Sequence, residues 1–168
     1  SLILVMTVLL CISAWTVFAE NTSSTDWFEK GNQSIQAENW EEAIDAFKNA
    51  VEEDSENDAA WFKLGGSYLQ NGNASDAFDA YTKATSVNPD NYDAWAMLGY
   101  VNLYARSPPD AAAALAALEN AQPIFSQNAG VHINYAIANL LEGNAETAES
   151  TLEELTQADD SNERAWYW

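Results

Sequence analysis

Apolar and polar positions alternate with a helical period along most of this chain. Two apolar sets recur at spacings of three and four residues on either side of Gly72: Trp61, Leu64 and Tyr68, then Ala77, Tyr81 and Ala84. Such spacing places the side chains of each set on one face of a helix. Gly72 interrupts the pattern and Asn88-Pro89 ends it, as expected for turn residues. The pattern therefore predicts a pair of antiparallel helices.

This two-helix pattern returns with a period of 34 residues. Trp27, Trp61 and Trp95 keep this step, His132 follows after 37 residues, and Trp166 follows 34 residues later. Small and bulky positions repeat in the same way: Gly31, Gly65, Gly99 and Ala136; Ala43, Ala77, Ala111 and Ala148; Phe47, Tyr81, Leu115 and Leu152. The longer step predicts three inserted residues near Ser126 to Asn128.

A period of 34 with a small residue where two helices cross resembles the tetratricopeptide repeat. The stretch DAAWFKLGGSYLQNGNASDAFDAYTKATSVNPD carries every element of that pattern. The resemblance implies an all-α, right-handed α-solenoid of antiparallel helix pairs with a concave groove. It predicts four repeats and the start of a further helix, with these bounds: 24–57, 58–91, 92–125, 129–162 and 163–168.

The N-terminal segment differs from the repeats. Residues 2–18 carry no charge, and residues 20–26 are a polar linker. We expect residues 1–19 to hold a hydrophobic helix, which at about 1.5 Å per residue barely reaches across a bilayer core of roughly 30 Å. It can serve as an assembly helix, a membrane anchor or a signal-like segment. Assembly would use apolar residues at both chain ends: Leu2, Leu4, Val5, Leu9, Ile12, Trp15, Phe18, Trp166 and Trp168.

Charge narrows the classes of partner. The chain has 26 acidic and 6 basic residues, for a formal net charge of −20. Such a surface repels nucleic acids and anionic lipids. The 48% of hydrophobic residues nevertheless predicts a folded protein. Cys11 is the sole cysteine, so no intramolecular disulfide or thiol metal cluster can form.

The sequence offers little catalytic chemistry. It has no phosphate-binding glycine loop, no nucleophile elbow and one histidine. His132 stands where other repeats have tryptophan, which predicts a structural role. Acidic pairs such as Glu41-Glu42 fall on helix surfaces and lack the spacing of a calcium loop. We predict that the protein is not an enzyme and uses no cofactor or metal.

The resemblance assigns the groove to the first helix of each repeat. Its groove positions carry these apolar residues: Phe28, Ile35, Phe62, Leu69, Tyr100, Leu103, Tyr104, Ile133, Ile137, Leu140 and Leu141. The groove positions hold no lysine or arginine, unlike family members that bind the acidic tails of chaperones. This favours a hydrophobic protein segment as the partner. The alternative is that several of these side chains only pack between adjacent repeats.

Two hypotheses for function follow. The first is an exported, extracellular structural protein whose hydrophobic N-terminal helix joins subunits head to tail into a filament. The second is a membrane-tethered or secreted adaptor that holds a hydrophobic segment of another protein in its groove. Export would place the chain outside the cell or at its surface, where three sequons become candidate glycosylation sites: Asn21, Asn32 and Asn73.

Overall fold

A computed structural model describes residues 23–158, and the regular structure within that range is helical. The predicted hydrophobic helix of residues 1–19 and the further helix of residues 163–168 lie outside the described residues. The eight α-helices have these bounds: α1 (Ser24–Gln36), α2 (Trp40–Glu53), α3 (Asp58–Gln70), α4 (Ala74–Val87), α5 (Tyr92–Tyr100), α6 (Ala111–Asn120), α7 (Ala129–Leu141) and α8 (Ala145–Ala158).

Side-chain caps fix the start of the first helix in each repeat. Ser23 and Asp26 form a reciprocal capping box at α1. The side-chain oxygens of Asn57, Asn91 and Asn128 accept hydrogen bonds from the third backbone N–H of α3, α5 and α7. Because each cap satisfies an N–H that has no helical partner, the first helices begin at equivalent positions.

The helices stack in chain order as an α-solenoid. Each first helix packs on the second helix of its own pair, and each second helix packs on the first helix of the next pair. Close approach within a pair depends on glycine, because a Cβ at Gly65 would lie only 2.8 Å from the ring of Tyr81. Gly31 faces Phe47 in the same way. These contacts bury Phe47 and Tyr81 almost completely.

The three additional residues lie in the third repeat, which corrects the predicted insertion near residues 126–128. The longer step of 37 residues already separates the starts of α4 and α6, at Ala74 and Ala111. A Cβ at Gly99 would meet Leu118, not Leu115. Ala114 is fully buried where Ala111 was expected. Equal spacing of Ala111 and Leu115 with residues 148 and 152 concealed this shift in the sequence.

The insertion is held by a network around Asn102. A single π-helical turn, Val101–Ala105, extends α5. The backbone carbonyl of Asn102 accepts the N–H of Asp110 at 2.9 Å. Its side-chain oxygen accepts a hydrogen bond from Nη1 of Arg106, also at 2.9 Å. Asn102 is only 2% exposed, so these bonds satisfy a buried amide and fix the loop before α6.

The turns inside the other three repeats share one backbone conformation. Glu38, Gly72 and Gly143 have φ angles of 55°, 82° and 83°, in the left-handed region. Glycine adopts this region without steric cost, whereas glutamate does not. The first repeat therefore carries strain at a turn where the second and fourth do not.

Candidate functional site

The concave face has one open apolar surface, in the third and fourth repeats. Of the large apolar side chains that the structure describes, four are classed as exposed, and all four stand at predicted groove positions: Tyr100 (40%), Tyr104 (49%), Leu140 (48%) and Leu141 (61%). We call these four residues the groove patch. Their positions in α5, its π-helical extension and α7 place the groove patch on two first helices that pack against each other.

Contacts within the groove patch preorganise its tyrosines. The rings of Tyr100 and Tyr104 are 5.1 Å apart and tilted by 49°. The hydroxyl of Tyr104 donates to Oδ1 of Asn134 on α7 at 3.1 Å. This bond ties the π-helical turn to the next repeat and leaves about half of the Tyr104 side chain open to a partner. Little side-chain entropy then remains to be lost on binding.

The predicted groove residues of the first two repeats are half-buried. Phe28 packs edge-on against Phe47, with ring centroids 5.6 Å apart. Phe62 lies 5.7 Å from Tyr81. Three further groove residues also pack partly against the core: Ile35, Leu69 and Ile137. These side chains contribute more to packing between helices than to an open surface.

Two predicted groove residues are buried, and that part of the prediction is wrong. Leu103 is 5% exposed and Ile133 is 4% exposed. Leu103 belongs to the core formed by α5, α6 and α7. Ile133 packs against Leu155 of α8. For these two, the alternative of packing between repeats applies.

The groove patch is apolar and its surroundings offer no catalytic constellation. The basic residue closest to Tyr104 in the sequence is Arg106, which is bonded to Asn102 and lies over the ring of Phe78, 5.1 Å from its centroid. Among residues 23–158, no three His, Cys, Asp or Glu side chains converge as metal ligands. In the same range, no helix has the length and apolar character needed to span a membrane.

His132 takes the place of an anchoring tryptophan. The indole N–H of Trp61 donates to the carbonyl of Ser55 at 2.8 Å, and that of Trp95 donates to Pro89 at 2.9 Å. His132 instead stacks on Phe125, with centroids 4.8 Å apart and an interplanar angle of 21°. Burial lowers the pKa of His132, and the nearby carboxylate of Glu154 partly opposes that shift.

Sequence reasoning missed a cleft beside His132. We call it the α8 cleft, a space of about 1110 Å³ between α7, α8 and residues 122–127. One wall carries three aromatic rings, those of Phe125, His132 and Tyr135, and Glu146 and Glu154 lie on α8. The substitution of tryptophan by histidine was the available signal, but its effect on space depends on how α6 ends.

The remaining predicted site residues divide by location. Asn73 is exposed in the turn before α4, and its side chain makes no cap hydrogen bond. Asn32 is half-buried on α1. The following lie outside the described residues: Asn21, Leu2, Leu4, Val5, Leu9, Ile12, Trp15, Phe18, Trp166 and Trp168.

Comparison with known proteins identifies the family. Tetratricopeptide-repeat models match residues 34–98, 106–167 and, for a second model, 68–129. This chain belongs to the tetratricopeptide-repeat family. The fold is one that serves protein–protein interaction, and members of the family are generally non-catalytic scaffolds. No protein of curated function matches the sequence.

Solved structures of tetratricopeptide-repeat proteins share the fold. A crystal structure of MamA has a TM-score of 0.77 at 21% identity, covering 86% of this chain and 78% of the other. YrrB, described as a TPR protein with an unusual peptide-binding site, has a TM-score of 0.79 at 21% identity, with coverage of 92% and 78%. A thermophilic TPR protein from Thermus thermophilus gives 0.62 at 19% identity, with coverage of 82% and 75%. At these identities the likeness concerns the fold alone.

Proposed function

We propose that this tetratricopeptide-repeat protein is a non-catalytic interaction protein whose groove patch binds an uncharged apolar protein segment. The single observation that carries the proposal is the exposure of Tyr100, Tyr104, Leu140 and Leu141, all on the concave first helices. Exposed apolar patches of this kind are typical of interaction sites. The peptide-binding site named for YrrB is consistent with such a use of the fold.

The energetics require a partner that is itself apolar. Full burial of a large apolar side chain contributes about 1.5 to 3 kcal/mol, so four side chains that are about half exposed contribute about 3 to 6 kcal/mol together. Association costs about 4 kcal/mol or more. The groove patch alone therefore falls short, and the partner segment must bury several apolar side chains of its own.

We propose residues 2–18 of a second copy as that segment. They form a run of 17 uncharged residues rich in Leu, Ile and Val. A segment of one copy bound in the groove of the next is a heterologous contact, which generates an open filament unless the rotation closes a ring. Binding through uncharged surfaces also avoids the repulsion between two chains of formal charge −20.

Light scattering of variants tests this self-assembly. We expect the full chain to associate, more strongly as salt screens its charge, and a chain lacking residues 1–19 to be monomeric with unchanged helical circular dichroism. Leu141→Glu should weaken association at least tenfold, because it places a charge in the groove patch. Ala116→Glu, at an exposed position of α6, is the matched control and should have no effect. Assembly of the truncated chain, or equal effects of the two variants, would contradict the proposal.

The second candidate is an adaptor that recruits a different protein. The length of the uncharged run of residues 2–18 favours it, because such a run also suits a membrane anchor or export signal. A full chain that is monomeric without detergent, yet binds an apolar peptide unless Leu141 is changed to Glu, would replace self-assembly by this function.

We further propose that the protein is exported to the cell surface or beyond. The sequon at Asn73 supports this, because the asparagine is exposed in a turn and its amide makes no cap hydrogen bond. The other N-cap asparagines, such as Asn57 and Asn91, use their side chains as caps. Peptide mass spectrometry of protein from its native source should find a glycan on Asn73; an unmodified Asn73 in a chain found inside the cell would contradict export.

A further inference from the structure

The α8 cleft has a counterpart two repeats earlier, and the two differ in size. The counterpart lies between α2, α3 and α4 and measures about 290 Å³, against 1110 Å³ for the α8 cleft. Trp61 lines the smaller space, whereas His132 is the equivalent fourth residue of α7. A smaller ring leaves more room at the same position of the repeat.

The preceding helix also opens the α8 cleft. Helix α6 has 10 residues, whereas α2 has 14. A short 3₁₀ turn, Gln122–Ile124, and the residues after it replace the missing helical turn. Gln122, Phe125 and Gln127 therefore line the cleft from an irregular segment instead of a continuous helix.

The charge of the two clefts is opposite in character. The smaller cleft contains Lys48 and Lys83 among its acidic residues, so cations of the chain itself lie among its carboxylates. At the tenth position of the second helix, where α4 has Lys83, α8 has Glu154. Glu146 also lines the α8 cleft, and the lining includes no lysine or arginine. The two carboxylates therefore face a space without a balancing cation of the lining.

The aromatic wall favours a flat cation. Phe125 and His132 are nearly parallel at 4.8 Å, and Tyr135 lies 5.2 Å from Phe125. A guanidinium group is planar, stacks on aromatic rings and pairs with carboxylates, whereas an ammonium group is a compact point charge. Glu146 and Glu154 are eight residues apart on one helix, which corresponds to roughly 12 Å along its axis.

We propose that the α8 cleft is a second protein-binding site, separate from the groove patch, that accepts arginine side chains of a partner segment. The arginine stacks on the aromatic wall and its guanidinium pairs with Glu154, and a second arginine about four residues away in an extended segment reaches Glu146. None of the residues lining the cleft belongs to the groove patch. The site would therefore act whether or not the groove is occupied.

A short arginine peptide tests the proposal. The probe is acetyl-Arg-Gly-Gly-Gly-Arg-amide, and its neutral control has citrulline in place of both arginines. His132 is the one histidine of the sequence, so its ring resonances in a nuclear magnetic resonance titration report binding at the cleft without assignment of other residues. We expect the arginine peptide to shift these resonances saturably, and the citrulline peptide to bind at least tenfold more weakly.

Charge-matched variants separate the cleft from general attraction to an acidic protein. Glu154→Lys restores the lysine found in α4 and should weaken the arginine peptide at least tenfold. Glu153→Lys changes the net charge equally at a neighbouring exposed position that does not line the cleft, and should weaken it less than twofold. Circular dichroism and thermal melting verify that both variants fold, and Leu141→Glu should leave peptide binding unchanged.

Three results would overturn the proposal. Equal weakening by Glu154→Lys and Glu153→Lys would mean that the peptide responds only to net charge. Equal binding of the citrulline peptide would remove the role of the guanidinium. Arg164 follows α8 in the sequence, and tenfold tighter peptide binding by Arg164→Gln would assign the cleft to an arginine of the chain itself instead of a partner.

Discussion

The first two repeats and the last two differ in how completely they close their own surfaces. In residues 24–91, the two second helices have 14 residues each, and the groove residues Phe28 and Phe62 pack against the core. In residues 92–158, an insertion follows α5, α6 is short, and the groove patch and the α8 cleft are open. The regular repeats are therefore built for stability, and the departures from regularity create the candidate binding surfaces.

The same contrast appears at the fourth position of the first helices. Trp61 and Trp95 each bond a carbonyl of the preceding turn and pack against the core. His132 stacks on Phe125 at the edge of the α8 cleft. A nearest-neighbour solenoid can tolerate this exchange, because each repeat contacts only its neighbours.

The largest expected effect breaks this contrast. Trp95→Ala should lower the free energy of unfolding by about 3 kcal/mol, at the low end for deleting a buried aromatic side chain because Trp95 is half-buried. His132→Ala should cost about 1 kcal/mol, because the smaller ring packs on one edge of the core. Urea unfolding followed by circular dichroism measures both. Similar losses for the two variants would show that the fourth position carries the same stability in both halves.

A conservative variant separates packing from hydrogen bonding at Trp95. Trp95→Phe keeps an aromatic ring but removes the indole N–H that donates to Pro89. We expect a loss of about 1 kcal/mol, the usual net contribution of one hydrogen bond, with the remainder of the alanine effect due to packing. A phenylalanine variant as unstable as the alanine variant would assign the whole effect to the bond.

The fold could be predicted from the sequence because its signal is periodic. The step of 34 from Trp27 to Trp95 reflects helix pairs that must stack to bury one face. The position of the insertion could not be predicted, because Ala111 and Leu115 keep the expected step by coincidence. Only the contact of Gly99 with Leu118 reveals the true register.

The candidate surfaces were predictable only in part. Groove positions follow from helix register, but the exposure of Leu141 and the burial of Leu103 depend on how neighbouring helices pack. The α8 cleft depends on where α6 ends and how residues 122–127 run. Such three-dimensional spacing leaves no periodic trace in one sequence.

The next smaller effect concerns the turns of the first two repeats. A Cβ at Gly72 would meet nothing within 4 Å, and Gly72 has a φ angle of 82°. Gly72→Ala should therefore destabilise by about 1 kcal/mol for purely conformational reasons. Glu38→Gly removes the same cost, partly offset by a more flexible unfolded chain, and should stabilise by about 0.5 kcal/mol.

Thermal unfolding of the two turn variants checks this prediction. Opposite shifts in the melting temperature would confirm that the left-handed turn, and not side-chain contact, sets both effects. Glu38→Ala serves as the control, because it removes the glutamate but keeps a Cβ at the same φ angle, and it should be nearly neutral. A stabilising Glu38→Ala would instead point to charge repulsion as the cause.

The smallest effect is a pH dependence confined to the last two repeats. Because burial lowers the pKa of His132, the unfolded chain binds a proton there more readily than the folded chain does. The contribution is present above the ordinary histidine pKa of about 6.5, and stability is lost as the pH falls through and below that value. His132→Phe keeps a ring on Phe125 but cannot take up the proton. The free energy of unfolding of the natural chain should therefore fall relative to this variant between about pH 7.5 and 5.5, whereas the carboxylates titrate alike in both chains. Glu154→Gln removes the charge that partly opposes the shift and should deepen the loss; parallel curves for the natural chain and His132→Phe would show that His132 has the same proton affinity folded and unfolded.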